Sequence, residues 1–445
     1  MATLIAFFVF FVGIAFAVAS GISLIYPLAL GVIVFSVVAL SRGFGLRDIF
    51  RMILKGAFGA FPVIRIFALI GFMTGLWRSS GTIAFFVYYG IEFIPPQLFL
   101  LFAFLLPALI SYLMGSLFGT VSTVGVVLLV LGRSGGINIA LLCGAIVSGA
   151  IVGDRMAPTS GCCNLTASVN RTRVSDILPR LWARAAVPLA LSVAVYGVLS
   201  FLNPVSFTDA AIASDILDSY IINLWLAVPA LLVLVLPILK VNVRASMAAS
   251  IVAAALVTLF VQQTPLLSML RSAIIGYTPV GSGPFSRVIV GGGLLSMVNI
   301  AVMVTLACCC TGIFNGTGML DSAKDLLEKL SYRLGLFPTT LIFSVFANMA
   351  FCNQTISLII TEQMVGPVYE AQGRHGKTLA WHMADSTALV GAFVPWNLMC
   401  SVPLTTMLCG PLAAMCFYFY PMFQIVCSLI ADIIKTNISK KQELR

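Results

Sequence analysis

Charge is scarce in this chain. Of 445 residues, 25 are Lys or Arg and 15 are Asp or Glu, 9% in all, against about 25% in an ordinary soluble domain. With 60% hydrophobic residues and a mean hydropathy of +1.08, that scarcity excludes a soluble globular protein, whose exterior must carry polar groups. Histidine is nearly absent (His375 and His382), and none of the 11 cysteines stands in a CxxC pair. A zinc or haem centre therefore has no ligand set to draw on, and no cofactor is expected. No GxSxG motif offers a hydrolase nucleophile, so an enzyme is not expected. No TVGYG-like stretch offers a channel filter. Ile5–Ala19 and Leu226–Leu239 are apolar without alternation, which excludes a transmembrane β-barrel.

What is present is a series of long apolar runs. At about 20 residues per helical span they predict an all-α polytopic membrane protein with on the order of ten spans. Residues 3–19 carry no basic flank or small-residue cleavage site and read as a span, not a signal peptide. The net charge of +10 lies mainly in loops. Arg42, Arg47, Arg51 and Lys55 form one cluster, Arg171, Arg173, Arg180 and Arg184 a second, and Lys435, Lys440, Lys441 and Arg445 a third. Retention of Lys and Arg on the cytoplasmic side explains these clusters better than a nucleic-acid partner. Two crossings before the first cluster put the amino terminus in the cytoplasm. The stretch 42–57 sets Phe50, Ile53 and Leu54 against its basic residues and reads as an amphipathic helix lying on the lipid surface.

Two stretches depart from ordinary spans. Residues 111–135 carry Gly115, Ser116, Gly119, Thr120 and Thr123, and residues 347–366 carry Asn353, Gln354, Thr355, Ser357 and Glu362. Polar residues beside non-helical backbone are tolerated at membrane depth where they face protein or water, so both stretches read as re-entrant hairpins. A second polar interruption follows each of them. GDRMAPTSGCCNLTASV (153–169) holds Asp154, Arg155, Pro158, Thr159, Ser160 and Asn164; ADSTALVGAFVPWNLMCS (384–401) holds Asp385, Ser386, Pro395 and Asn397. The aspartates lie 231 residues apart (385 − 154), the asparagines 233 (397 − 164) and the prolines 237 (395 − 158). The order resembles an internal repeat in which paired broken helices meet near the bilayer midplane.

The residue types suggest ion chemistry. A helix proline leaves the carbonyl four residues earlier without a donor, which would free that of Asp154 below Pro158 and that of Gly391 below Pro395. Carbonyls, hydroxyls and carboxylates are hard oxygen ligands suited to hard cations, and carboxylates within spans are usually functional. His382 lies three residues before Asp385, on the same helical face, where it can share a proton with it. Glu362 is a candidate for a second proton-carrying group.

These pieces, with LIGFMTGLWRSSGTIAFFVYYG (69–90), GSLFGTVSTVGVVL (115–128) and NQTISLIITEQMVGPVYEAQG (353–373), resemble the NhaC-type sodium/proton antiporter family of the ion transporter superfamily. The resemblance implies an inverted-repeat carrier with two hairpins, a transport domain sliding past a scaffold domain as an elevator, and a homodimer. On that pattern residues 1–110 are scaffold-like spans. Residues 111–202 are the first transport repeat, with hairpin 111–135 and broken helix 138–169. Residues 203–336 are middle spans and a polar connector. Residues 337–434 are the second transport repeat, with hairpin 347–366 and broken helix 378–401, and 435–445 a basic tail. One departure stands out. Where the family has a Ser-Asp-Thr-Thr-Asn run, this chain has Ser160-Gly161-Cys162-Cys163-Asn164, losing a carboxylate and two hydroxyls, and thiols are poor Na⁺ partners.

The expectation is therefore a secondary antiporter exchanging Na⁺ for H⁺ across a bacterial-type inner membrane. Asp154 and Asp385 would hold the ion or the proton, with Asn164, Asn397, Ser160, Ser386 and Thr159 supplying oxygens. The alternative is a Na⁺- or H⁺-coupled carrier of a small organic acid or amino acid.

Overall fold

The computed structural model describes residues 2–205, 209–279, 281, 283–318, 324–374 and 376–443. His375, residues 319–323 of the expected polar connector and the last two residues of the basic tail lie outside them. Among the described residues every regular element is helical, apart from an isolated bridge between Tyr277 and Gly291. Seven of these helices are long and apolar enough to cross a membrane, or nine if each of two bent pairs counts as one span.

Twelve helices build the part that matters for function: α1 (Leu46–Ser79), α2 (Phe99–Met114), α3 (Leu117–Ser134), α4 (Ile139–Met156), α5 (Gly161–Val169), α6 (Val174–Leu202), α7 (Leu294–Thr317), α8 (Leu336–Phe351), α9 (Gln354–Ala371), α10 (Lys377–Phe393), α11 (Leu398–Thr406) and α12 (Phe419–Glu443). The basic stretch expected as a separate surface helix is instead the first part of α1, which runs on through Pro62 into the following apolar residues.

Close helix crossings are made by glycine. On α4, a Cβ at Gly149 would stand 2.1 Å from the Phe104 carbonyl oxygen, and one at Gly153 would stand 2.2 Å from backbone atoms of Ser111 and Tyr112. The crossing of α1 with α7 is built the same way, with Gly56 against the Cys308 carbonyl and Gly312 against the Met52 carbonyl. Such contacts bring backbones together where no hydrophobic force between helices operates in lipid.

The bounds of three helix pairs recur at a constant offset of 237 residues. Phe99–Met114 is matched by Leu336–Phe351, the outer bounds of α3 by those of α9, and Gly161–Val169 by Leu398–Thr406. Gly115 and Cys352 both take positive φ, 66° and 57°. Ser116 and Asn353 both cap the following helix with a side-chain oxygen, as do Ser160 and Asn397. This register pairs Pro158 with Pro395 and Ser160 with Asn397. It corrects the alignment of aspartate on aspartate: Asp154 falls opposite Gly391, Asp385 opposite Ser148, and Asn164 opposite Ser401.

The stretches expected as hairpins each include the turn and outgoing helix of a helix–break–helix pair whose incoming helix starts earlier. The first pair is α2–α3 with its turn at Gly115–Ser116, and the second is α8–α9 with its turn at Cys352–Asn353.

Candidate functional site

Each hairpin turn packs on the break of the neighbouring helix in its own half. Gly115 lies so close to Thr159 and Ser160 that a Cβ there would meet Thr159 Oγ1 at 2.5 Å. In the second half the Leu398 N–H donates to the Cys352 carbonyl at 2.9 Å. The break between α4 and α5 runs from Ala157 to Ser160. Ser160 caps α5 by accepting from the N–H groups of Cys162 and Cys163. Asn397 caps α11 by accepting from Met399 N–H at 3.0 Å.

The prolines act differently from expectation. Pro158 and Pro395 stand in the breaks themselves and not inside a helix. The carbonyl of Asp154 is not left open, because the Ser160 hydroxyl donates to it. The Gly391 carbonyl likewise accepts from Val394 N–H. The breaks therefore offer side chains, not these two carbonyls.

Asp154 sits on the last turn of α4, 8% exposed. Its carboxylate faces the Ser160 hydroxyl, the backbone N–H of Leu117 and the side-chain amide of Gln354. Leu117 opens the helix after the first turn and Gln354 the helix after the second, so this one carboxylate touches both hairpins. Gln354 is itself anchored, donating to the Ala388 carbonyl at 2.8 Å.

Asp385 has another character. One of its oxygens accepts from Arg155 and from Gln424 at 3.2 Å; the other accepts from Arg184 and from Ser428 at 2.8 Å. A carboxylate holding four donors has no lone pair left for a cation. The expected twin ion ligands are thus not equivalent: Asp154 faces the hairpins, and Asp385 is the hub of an ion-pair knot. Arg155 does not pair with its neighbour Asp154 but reaches across to the second half, where it also donates to the Ala384 carbonyl and to Tyr420 Oη, both at 3.1 Å.

The other candidates divide by how fully their polar atoms are used. Asn164 is exposed and donates to the carbonyls of Pro158 (2.8 Å) and Ser160 (2.7 Å), tying the break together. Asn397 is buried and donates to Asn348. The Ser386 hydroxyl donates to the His382 carbonyl at 2.6 Å. Thr120 and Thr123 bond back to their own helix. Gly119 stands beside Met114 and Ser116. Asn353 accepts from Thr355 N–H. His382 shares the expected face with Asp385, but its ring meets Tyr369 Oη at 2.6 Å and lies 3.8 Å from Asp432. Glu362 is half-buried on α9. On the same helix the hydroxyls of Ser357 and Thr361 are buried with no hydrogen-bond partner, the state of oxygens able to accept a ligand.

Sequence reasoning missed Arg184, Gln424 and Ser428 as partners of Asp385. A glutamine alone in the apolar run FYPMFQIVC was the available signal, since a polar side chain in such a helix must find a partner.

A polytopic helical membrane protein in which residues after two paired turns meet one buried carboxylate at a helix break has the features of a membrane transporter. A sequence profile of the Na⁺/H⁺ antiporter family matches residues 174–434, more than half of the chain, and the chain belongs to that family. It is 27% identical over 381 residues to the Na(+)/H(+) antiporter NhaC of Bacillus subtilis (strain 168), covering 83% of each chain. It is 25% identical over 368 residues to the malate-2H(+)/Na(+)-lactate antiporter of the same organism, covering 80% of this chain and 77% of the relative. It is 23% identical over 380 residues to the arginine/ornithine antiporter ArcD of Halobacterium salinarum, covering 83% and 78%. The resemblance read in the sequence is borne out at the level of the family.

Proposed function

We propose that the chain is a secondary active antiporter that exchanges Na⁺ for H⁺ across a bacterial-type inner membrane, working as a homodimer. The observation that carries this reading is the position of Asp154, a carboxylate at a helix break that both hairpin turns approach. A single carboxylate that binds either a proton or a sodium ion, never both, couples the two fluxes by competition. The hydroxyl of Ser357, buried without a partner one turn after Gln354, would add an oxygen to the shell of Na⁺. Asp385, Arg155 and Arg184 would hold the two halves in register as a fixed ion-pair knot. The two helical pairs, related by 237 residues, would enter from opposite faces as an inverted repeat, each turn gating one side. That arrangement suits an elevator-type carrier in which the two breaks and turns move together past α1 and α7.

The test is a pH-sensitive dye inside proteoliposomes. Na⁺ addition should dequench it for the wild-type chain and not for Asp154→Asn. A wild-type response missing across about pH 6 to 9, the range a shifted carboxylate reaches, would overturn the exchange.

A second reading has its own support: a Na⁺- or H⁺-coupled carrier of a small organic solute. Two of the relatives are named for organic solutes, and Cys162 and Cys163 are buried where the family pattern has hydroxyls. A metabolite that raises thermal stability only when Na⁺ is present would favour it.

A further inference from the structure

A cavity of about 420 Å³ lies where α1 crosses α7 beside the second hairpin, within the range of small-solute sites. Its wall includes Arg51, Lys55, Thr311, Asn315 and Ile356, and no acidic side chain. Lys55 has no ion-pair partner among the described residues. Arg51 lies 4.0 Å from Asp48, with both side chains largely exposed. The Thr311 hydroxyl lies 3.5 Å from the Phe351 carbonyl at the end of α8. Ile356 stands two residues after Gln354, whose amide faces Asp154. The cavity thus adjoins the second hairpin near its turn and opens among residues of the basic cluster, the side that the positive-inside bias assigns to the cytoplasm.

The other end of the same helix pair is its counterpart under the 237-residue offset, which carries Thr311 to Thr74, Gly312 to Gly75, Asn315 to Arg78 and Lys55 to Gly292. There the space is filled. Arg78 is 3% exposed, donates from Nη1 to the Thr74 carbonyl at 2.8 Å, and leaves Nε buried without a partner. A Cβ on Gly292 would stand 2.9 Å from Nη1. One end of the crossing is open and the other closed over an arginine. A carrier that alternates must open the second end, and Arg78 then becomes part of its wall.

Both ends present cations. Such a lining repels Na⁺ and concentrates anions, so it suits an anionic solute better than a bare cation. We propose that the cavity is the vestibule of a carboxylate-bearing organic solute, whose anionic group is held by Arg51 and Lys55 on the open side and meets Arg78 when the other side opens. The proposal rests on the carrier reading above and names its substrate class.

The test uses the purified full-length chain and a probe panel of L-lactate, succinate and L-malate, with L-ornithine as cationic control. At least one carboxylate should raise the thermal unfolding midpoint saturably, and ornithine should not. Arg51→Gln with Lys55→Gln should raise the half-saturating concentration about tenfold or more, as loss of a charge-assisted contact requires. The swap Arg51→Lys with Lys55→Arg should keep the response. Lys55→Gln alone, at an exposed position, gives the same reading if the double variant fails to fold. Absence of any carboxylate response, an unchanged response in the Gln variants, or protection by phosphatidylglycerol alone would overturn the proposal. The dye assay on the same preparation separates the two claims. Na⁺-driven H⁺ movement without carboxylate binding removes the vestibule and keeps the antiporter. Carboxylate binding without Na⁺ or H⁺ movement does the reverse.

Discussion

Arg155 and Asp385, 230 residues apart in the chain, form an ion pair in which neither side chain is exposed. Arg184 closes on the other oxygen of the same carboxylate, so α4, α6 and α10 are fastened at one point. Removing one partner of a buried pair leaves an uncompensated charge, at a cost of about 3–5 kcal/mol. Asp385→Asn should therefore lower the stability of the detergent-solubilised protein by that amount, measured as a shift in its denaturant unfolding midpoint. Adding Arg155→Gln should cost less than the sum of the two single changes, because the orphaned guanidinium goes with its partner. Additive losses would mean that the pair does not fasten these helices.

Asp154 predicts the opposite pattern. Its neighbours are one hydroxyl, one backbone N–H and one side-chain amide, all able to bond an amide oxygen as well as a carboxylate. Asp154→Asn should change stability by no more than about 1 kcal/mol, the scale of a single neutral hydrogen bond, while abolishing Na⁺-driven H⁺ movement. A variant that unfolds as readily as Asp385→Asn would make Asp154 a structural residue.

The contrast between these two aspartates marks how far the sequence could be read. The apolar runs announced the helices, and polar residues within them announced the breaks at Gly115–Ser116, Ala157–Ser160, Cys352–Asn353 and Val394–Asn397. The register was not legible from the carboxylates, because Asp154 and Asp385 have no acidic counterpart in the other half. It was carried by residues that shape backbone: the prolines at 158 and 395 and the caps Ser160 and Asn397. The role of Asp385 depends on Arg184, Gln424 and Ser428, which lie 201, 39 and 43 residues away on other helices. No local pattern reports such contacts. The length of α1 was hidden for a related reason, since Pro62 and the basic residues before it suggest a boundary that the helix passes through.

Glycines in the helices predict sharply different tolerances. On α4, a Cβ at Gly153 would meet backbone atoms of α2 at 2.2 Å, and backbone cannot move aside as a flexible side chain can. Gly153→Ala should cost about 2–3 kcal/mol through forced separation of α2 and α4, and it should also impair exchange, because Asp154 is the next residue. Gly197 on α6 meets nothing within 4 Å, so Gly197→Ala should be neutral or stabilise by up to about 1 kcal/mol through helix propensity. Thermal unfolding of both variants in one detergent checks the difference. Equal behaviour would mean that the close approach of α4 to α2 does not hold in solution.

The two hairpin turns share a backbone shape but not a residue, and this makes a last test. Gly115 and Cys352 both take left-handed φ, 66° and 57°, a region that costs a residue with a Cβ about 1–2 kcal/mol. Cys352 bears that cost while packing a small buried side chain. Cys352→Gly should relieve the backbone and lose some packing, leaving stability within about 1 kcal/mol of the wild type. Cys352→Val adds a β-branch to the strained residue and should destabilise by about 1–2 kcal/mol. The same exchange run in reverse at the first turn should fail. A Cβ on Gly115 would lie 2.5 to 2.7 Å from Thr159 and Ser160, so Gly115→Ala must push the turn away from the break that it packs against. Loss of Na⁺-driven H⁺ movement in Gly115→Ala, with activity kept in Cys352→Gly, is the expected outcome. Activity retained by both would show that contact between the first turn and its break is not needed for transport.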